Sequence, residues 1–235
     1  MTSKTPNKGS PADQTPAEPK QPTSEGTPAT EGAPAGKRAQ TGRAPRGRAA
    51  AEPSLAGQLL VAMPRMSDPR FTRTVIYMCA HSSQGAMGLV LNRVFDKMSF
   101  PELLSQLNIE SGPQTRPIRI HAGGPVESAH GFVLHSDDYV RQGTMRVTDG
   151  IALTATVDIL KAIAEGDGPR HSLLALGYAG WGPGQLESEI IRNSWLTVPS
   201  QQSLIFSSDV ERVWERALAI LGANPTTLSG EAGHA

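Results

Sequence analysis

A mixed, mainly antiparallel α+β domain is the fold class this sequence predicts, and three observations lead to it. Short β-rich runs come in clusters with helical patterns between them. Some neighbouring runs are joined by as few as two turn residues, too short for the crossover that parallel pairing needs. Both features lie beyond residue 53, because the chain before it has almost no branched or aromatic side chains. A doubly wound parallel sheet fits less well.

The first predicted pair is a hairpin. Thr74 to His81 and Met87 to Asn92 are β-rich, and Ser82-Ser83-Gln84-Gly85 between them is turn-prone. Val75, Tyr77 and Cys79 occupy one face of the first run and Ile76, Met78 and Ala80 the other, so both faces should be covered. In MSFPELLSQL, Ser99 can cap a helix, Glu102 can reach back to it, and Met98 with Leu103 can form a staple. Pro101 fits only the first turn of that helix. Extended runs follow at Ile118 to His121, Phe132 to His135, Met145 to Thr148 and Ile151 to Thr154, with Gly123-Gly124-Pro125 and Asp149-Gly150 as turns. Leu160, Ile163 and Ala164 recur at helical spacing and predict a helix over 155–165, stopped by Gly166-Asp167-Gly168-Pro169. A β-like run over 172–178 leads into the glycine-rich stretch GYAGWGPGQLESE, and Gln185 to Arg192 reads as a helix. Trp195 to Val198 and Leu204 to Phe206 look extended. The last helix is announced by Ser208 as cap, Glu211 as its box partner and a stripe of Val210, Val213, Trp214, Ala217, Leu218 and Leu221 before Gly222.

Residues 1–53 mix Pro, Ala, Thr, Gly, Lys, Gln and Glu, so burial cannot offset the entropy of ordering them. A disordered tail over 1–53 and a folded domain over 54–235 are therefore expected. The formal net charge of zero divides unevenly: the tail has eight Lys and Arg against five Asp and Glu, the remainder fourteen against seventeen. An acidic body argues against DNA binding, leaving nucleic-acid contact only to the tail, where Lys37, Arg38, Arg43, Arg46 and Arg48 cluster. No run approaches the roughly 18 apolar residues of a membrane helix, and no apolar segment follows the N-terminal lysines. Cys79 is the single cysteine, which excludes an internal disulfide framework. A cytoplasmic protein without membrane contact is the expectation.

The glycine-rich stretch raises the question of a phosphate site. Gly180-Trp181-Gly182-Pro183-Gly184 lacks the further glycine, at Gln185, of the dinucleotide fingerprint and the Lys-Ser or Lys-Thr pair of the P-loop. Pro183 removes an amide, and Glu187 and Glu189 put negative charge in the first helical turns. What remains is a turn that displays an indole, or a groove for a small ligand or partner segment. No G-x-S-x-G elbow or H-E-x-x-H helix occurs, and His121, His130 and His135 lack paired spacing, so neither a metal nor another cofactor is expected.

Other candidates carry competing readings. Cys79 shares an extended face with His81, and a neighbouring imidazole can make a thiol oxidisable, although same-face neighbours along a strand stand about 7 Å apart. A buried hydrophobe, a redox-sensing thiol and a nucleophile all stay open there, in that order. Asp68, Arg70 and Arg73 in MSDPRFTR could hold an anionic ligand, or pair internally with Glu187 or Glu189, the reading favoured here. Gly123 and Gly124 suit a tight turn, or a close approach of backbone to ligand.

GQLLVAMPRMSDPRFTRTVIYMCAHSSQGAMGLVLNR, then GGPV, GFVLHSDDY, LGYAGWGPGQLESEI with NSWL, WERALAILG and a terminal GHA follow one another in this chain. With these motifs the sequence from Leu55 to Ala235 resembles the YqgE/AlgH family of bacterial proteins, while the tail lies outside the resemblance. The resemblance implies a single α+β domain with a branched β-sheet around helices. It also brings a transcriptional-regulator label linked to alginate production, and it implies no particular reaction.

The functional expectation is a regulatory domain that binds a small molecule or a protein partner without catalysis. Its groove would lie near the Trp181 loop and the Asp68 to Arg73 segment, with Asp68, Arg70, Arg73, Gly123, Gly124, Gly180, Trp181 and Gly184 as candidate residues. Direct DNA contact by a transcriptional regulator is one alternative. A thiol-based sensor or enzyme using Cys79 and His81 is the other.

Overall fold

Two neighbouring strands of the sheet carry runs without a single exposed side chain. In the computed structural model, which describes residues 54–113, 115 and 118–223, Leu59 to Ala62 and Val75 to Met78 are wholly excluded from solvent. A strand covered on both faces must be apolar throughout. Along the chain the elements are β1 (Gln58–Ala62), β2 (Val75–Ser82), β3 (Gly85–Val90), α1 (Phe100–Gln106), β4 (Ile120–Ala122), β5 (Val126–Ser136), β6 (Thr144–Thr148) and β7 (Ile151–Thr154). They continue with α2 (Val157–Glu165), β8 (Ser172–Trp181), α3 (Gln185–Ile191), β9 (Trp195–Pro199), α4 (Gln202–Ile205) and α5 (Val213–Ile220). The described residues form one α+β domain around a nine-stranded sheet in the order β6-β7-β5-β8-β3-β2-β1-β9, with β4 beside β8 off that path. Only β4 and β8 run parallel; the other pairings are antiparallel.

The branch is made at β8. One edge of this strand takes β4 against Leu174, Ala175 and Leu176, then β3 against Ala179, Gly180 and Trp181, while β5 runs along the other edge. Between the two partners stands Gly177 at φ +71. A Cβ there would lie 2.5 Å from the Gly124 carbonyl oxygen and 2.8 Å from that of Val126, so only glycine admits the fork. The left-handed residue also shifts the alternation of the strand by one. Leu174 consequently packs in one outer cluster, whereas Ala179 and Trp181 pack in another.

Three apolar clusters follow from this geometry. On the inner face of the curl, Leu59, Val75 and Tyr77 meet Leu134, Leu153 and Leu173, and α4 and α5 close the space with Leu204, Trp214 and Leu218. The Trp214 indole donates to the Ala62 carbonyl at 2.8 Å, which satisfies a buried donor. The sheet curls until Thr148 of β6 reaches Tyr77 of β2, their hydroxyls 3.1 Å apart. Outside, α1 and α2 cover β4, β5 and the first half of β8 with Phe100, Leu104, Ile159 and Ile163. The third cluster sets Leu186 of α3 against Leu60, Ile76 and Met78, beside Trp181 and Trp195.

The hairpin, the α1 capping box and the arrest of α2 at Gly166 form as the sequence predicts. Four expectations are corrected. β1 was not anticipated, because five apolar residues in a row before a proline, Leu59 to Met63, show no period of their own. Leu204 to Phe206 is not extended: Leu204 and Ile205 belong to α4, a single turn closed by the Gln201 and Gln202 carbonyls. The last helix begins at Val213 with Arg212 at its N-cap and no side-chain cap; Ser208 stands four residues earlier, where its carbonyl accepts the Arg119 guanidinium at 2.6 Å. The stretch from Gly177 to Trp181 is strand, and only Gly182 to Gly184 turns. The tail expected over 1–53 and the end of the domain at 224–235 lie outside the described residues.

Candidate functional site

The site is built where α3 crosses the end of β8. Gly184, at φ +71, starts α3, and Gln185 and Glu189 then fall one turn apart on the same helix face. One oxygen of Glu189 accepts the Trp181 indole N–H at 2.9 Å and the Trp195 indole N–H at 2.8 Å. Its other oxygen accepts Gln185 Nε2 at 2.9 Å, and Gln185 Oε1 in turn accepts the Gly182 amide at 3.1 Å. The rings are locked as well: Trp181 and Trp195 meet edge to face with centroids 6.0 Å apart, and Phe71 does the same to Trp195 at 5.7 Å. An anionic acceptor shared by two indole donors is stronger than a neutral one, so this arrangement is rigid before anything binds.

Beside it opens a cleft of about 510 Å³ lined by Asp68, Arg70, Phe71, Gly180, Trp181, Glu189, Arg192 and Trp195 among others. Asp68 and Arg70 form its charged rim as a two-point pair: Arg70 Nε lies 3.0 Å from one carboxylate oxygen and Nη2 lies 2.6 Å from the other. That hydrogen bond holds the Asp68 carboxyl below its ordinary range. The pair is exposed, so it orients the rim more than it stabilises the fold.

Four candidates from the sequence, Asp68, Arg70, Gly180 and Trp181, are thus brought to one cleft. Gly124 lines an adjoining cavity together with Arg70. Gly123 does not reach either space; a Cβ on it would lie 2.3 Å from the Gly177 carbonyl oxygen, so it serves the fork in the sheet. Gly184 turns the chain into α3 and lines neither space. Arg73 points to α5, where its guanidinium stacks 4.6 Å above the Trp214 ring and meets Glu215 at 2.8 Å. Both arginines therefore pair internally, but with Asp68 and Glu215; Glu187 and Glu189 are already engaged by His81 and the two indoles. Trp181 is 7% exposed, pinned with one edge to the cleft, not displayed as a free indole.

Cys79 and His81 are separated by a bulge. β2 and β3 slip register between Met78 and Ala80, so the extra residue reverses the alternation and Cys79 and His81 face opposite sides. Cys79 packs on the inner cluster, 3% exposed, and burial raises its thiol pKa to about 12. The thiolate that oxidation or nucleophilic attack requires is disfavoured there. His81 Nδ1 accepts the Leu55 amide at 3.0 Å, which leaves the proton on Nε2, donated to Glu187 at 2.6 Å. The Glu187 carboxyl is held low first by its own backbone amide and then by this ring. His121, His130 and His135 stand on β4 and β5, and among the described residues no group of three or more His, Cys, Asp or Glu is placed to hold a metal.

Sequence reasoning missed Phe71, Gln185, Arg192 and Trp195 as members of the site. The spacing of Gln185, Glu189 and Arg192 along α3 was a usable signal. Trp195 had none, because only the pairing of β9 with β1 carries it to this place.

No helix of the described residues is long and apolar enough to cross a membrane. Residues 59–226 match the family model described as AlgH-like. A UPF0301 protein of Rhodopseudomonas palustris (strain HaA2) is 53% identical over 205 residues, covering 83% of this chain and 94% of the relative. One from Rhodospirillum rubrum is 52% identical over 181 residues, covering 77% and 94% respectively. The solution structure of the AlgH protein from Pseudomonas aeruginosa is similar with a TM-score of 0.65 and 41% identity, over 80% of this chain and 100% of that one. A Corynebacterium diphtheriae crystal structure, at 24% identity and a TM-score of 0.57 over 71% and 86% of the two chains, shares the fold alone.

Proposed function

The chain belongs to the AlgH-like family, and from that footing we propose that it is a cytoplasmic, regulatory binding protein whose recognition site is the indole cleft. The observation that carries this reading is the pair of indoles fixed on Glu189 at one wall of the cleft, facing the Asp68–Arg70 rim. Aromatic walls give contact area at little entropic cost, and a wall already locked loses little more freedom when a ligand or a partner segment lands on it.

Thermal-shift screening of a metabolite library against the full chain tests the proposal, because a binder of the native state raises Tm. Hits are expected to move the indole N–H signals of Trp181 and Trp195 in NMR spectra. Hits that map only to other surfaces, or turnover of a hit that is lost on a single change in the cleft, would overturn it.

A further inference from the structure

Next to the cleft lies a cavity of about 300 Å³ against Pro69, Val90 and Val94, and the two spaces share Arg70, Phe71 and Pro125. Its wall contains two guanidinium groups, Arg70 and Arg93, and no carboxylate. Arg70 spends Nε and one Nη2 hydrogen on Asp68, leaving Nη1 free to donate. Arg93 gives Nη2 to the Thr72 carbonyl at 2.8 Å. It forms no ion pair among the described residues, so most of its five N–H groups are left over.

Charge narrows what fits. The charged residues lining cleft and cavity are Arg70, Arg93 and Arg192 against Asp68 and Glu189, one positive charge in surplus. From Ser54 onward the chain as a whole has the opposite balance, fourteen basic against seventeen acidic residues. A local reversal of this kind draws anions to one place on an otherwise acidic body. A single surplus charge matches a monoanion, and a planar carboxylate matches the guanidinium fork. The remaining wall of the cavity is apolar, and its Phe71 ring meets the Arg70 guanidinium at 5.7 Å and the Trp195 ring at 5.7 Å.

We infer that the joined cavities bind a small aryl monocarboxylate, its carboxylate between Arg93 and Arg70 and its ring against Phe71 at the rim of the indole cleft. This rests on the binding reading above and names the ligand class for that site.

Benzoate, benzamide and phenyl phosphate titrated into the full chain provide the test, followed by the Gly124 amide and the Trp195 indole N–H in NMR spectra. Benzoate should give saturable shifts of both signals, with benzamide and phenyl phosphate each binding at least tenfold more weakly. Arg93→Gln should weaken benzoate at least tenfold, and Arg93→Lys should retain part of the affinity. If Arg93→Gln fails to fold, the comparison of benzoate with benzamide on the unaltered chain decides. Equal response to the acid and its amide overturns the carboxylate inference while leaving the cleft as a binding site. Tighter binding of phenyl phosphate overturns the monoanion, and silence from all three compounds at roughly tenfold the Kd typical of such fragments, about 1 mM, overturns the site.

Discussion

Acid should destabilise this protein through His121. The ring sits on β4, 5% exposed, and its Nδ1 has no hydrogen-bond partner. Burial lowers its pKa from 6.5 to about 4; the positive charge of Arg119 adds to the effect, and a contact with the Leu91 backbone opposes it. The unfolded chain therefore takes up this proton first as pH falls. Stability from neutral His121 is complete above about pH 6.5, declines as pH falls from there towards 4, and reaches its floor below the folded value. At about 1.4 kcal/mol per pKa unit, two-state linkage gives a loss of about 2 kcal/mol at pH 5 relative to pH 7.5. Urea unfolding at the two pH values, with and without His121→Phe, measures it. His135 is also lowered by burial, but it titrates in both proteins and cancels in the difference. An equal acid loss in the variant and the parent would show that His121 is not the group responsible.

Three more outcomes can be checked directly. Glu189→Ala leaves two buried indole donors without an acceptor and should cost about 2–4 kcal/mol in denaturant unfolding, with Glu189→Gln nearer 1; a neutral Glu189→Ala would mean the indoles find water instead. Cys79 should react with a thiol reagent only at the rate of global unfolding, measured by mass spectrometry across a denaturant series, and fast labelling of native protein would contradict its burial. Gly177→Ala meets two carbonyl oxygens and should cost well over the roughly 1–2 kcal/mol of a left-handed residue alone, whereas Gly184→Ala, with open space around it, should cost only that. Similar melting temperatures for the two variants would remove the fork as the reason for Gly177.

Local chemistry wrote the hairpin and α1 plainly into the sequence, because turn residues and a capping box act within a few positions. Long-range pairing did not write β1, whose burial on both faces depends on β2 and β9. The cleft was half legible. Asp68, Arg70 and Trp181 were visible as side chains seeking partners, but which partners they took depended on the competition for Glu189. Two indoles won that carboxylate, and Arg70 was left with the aspartate two residues before it. The Cys79–His81 pairing failed for a simpler reason, since one extra residue in a strand reverses every side chain after it.

The outer strands of the sheet, β6 and β9, are where a β-protein risks templating its own polymerisation. β6 folds back so far that a methyl group on Gly57 would strike Thr148, and β9 ends on Pro199, which has no amide to offer. Both margins are therefore blunted in the folded chain, β6 by its approach to the residue just before β1 and β9 by an end that cannot donate.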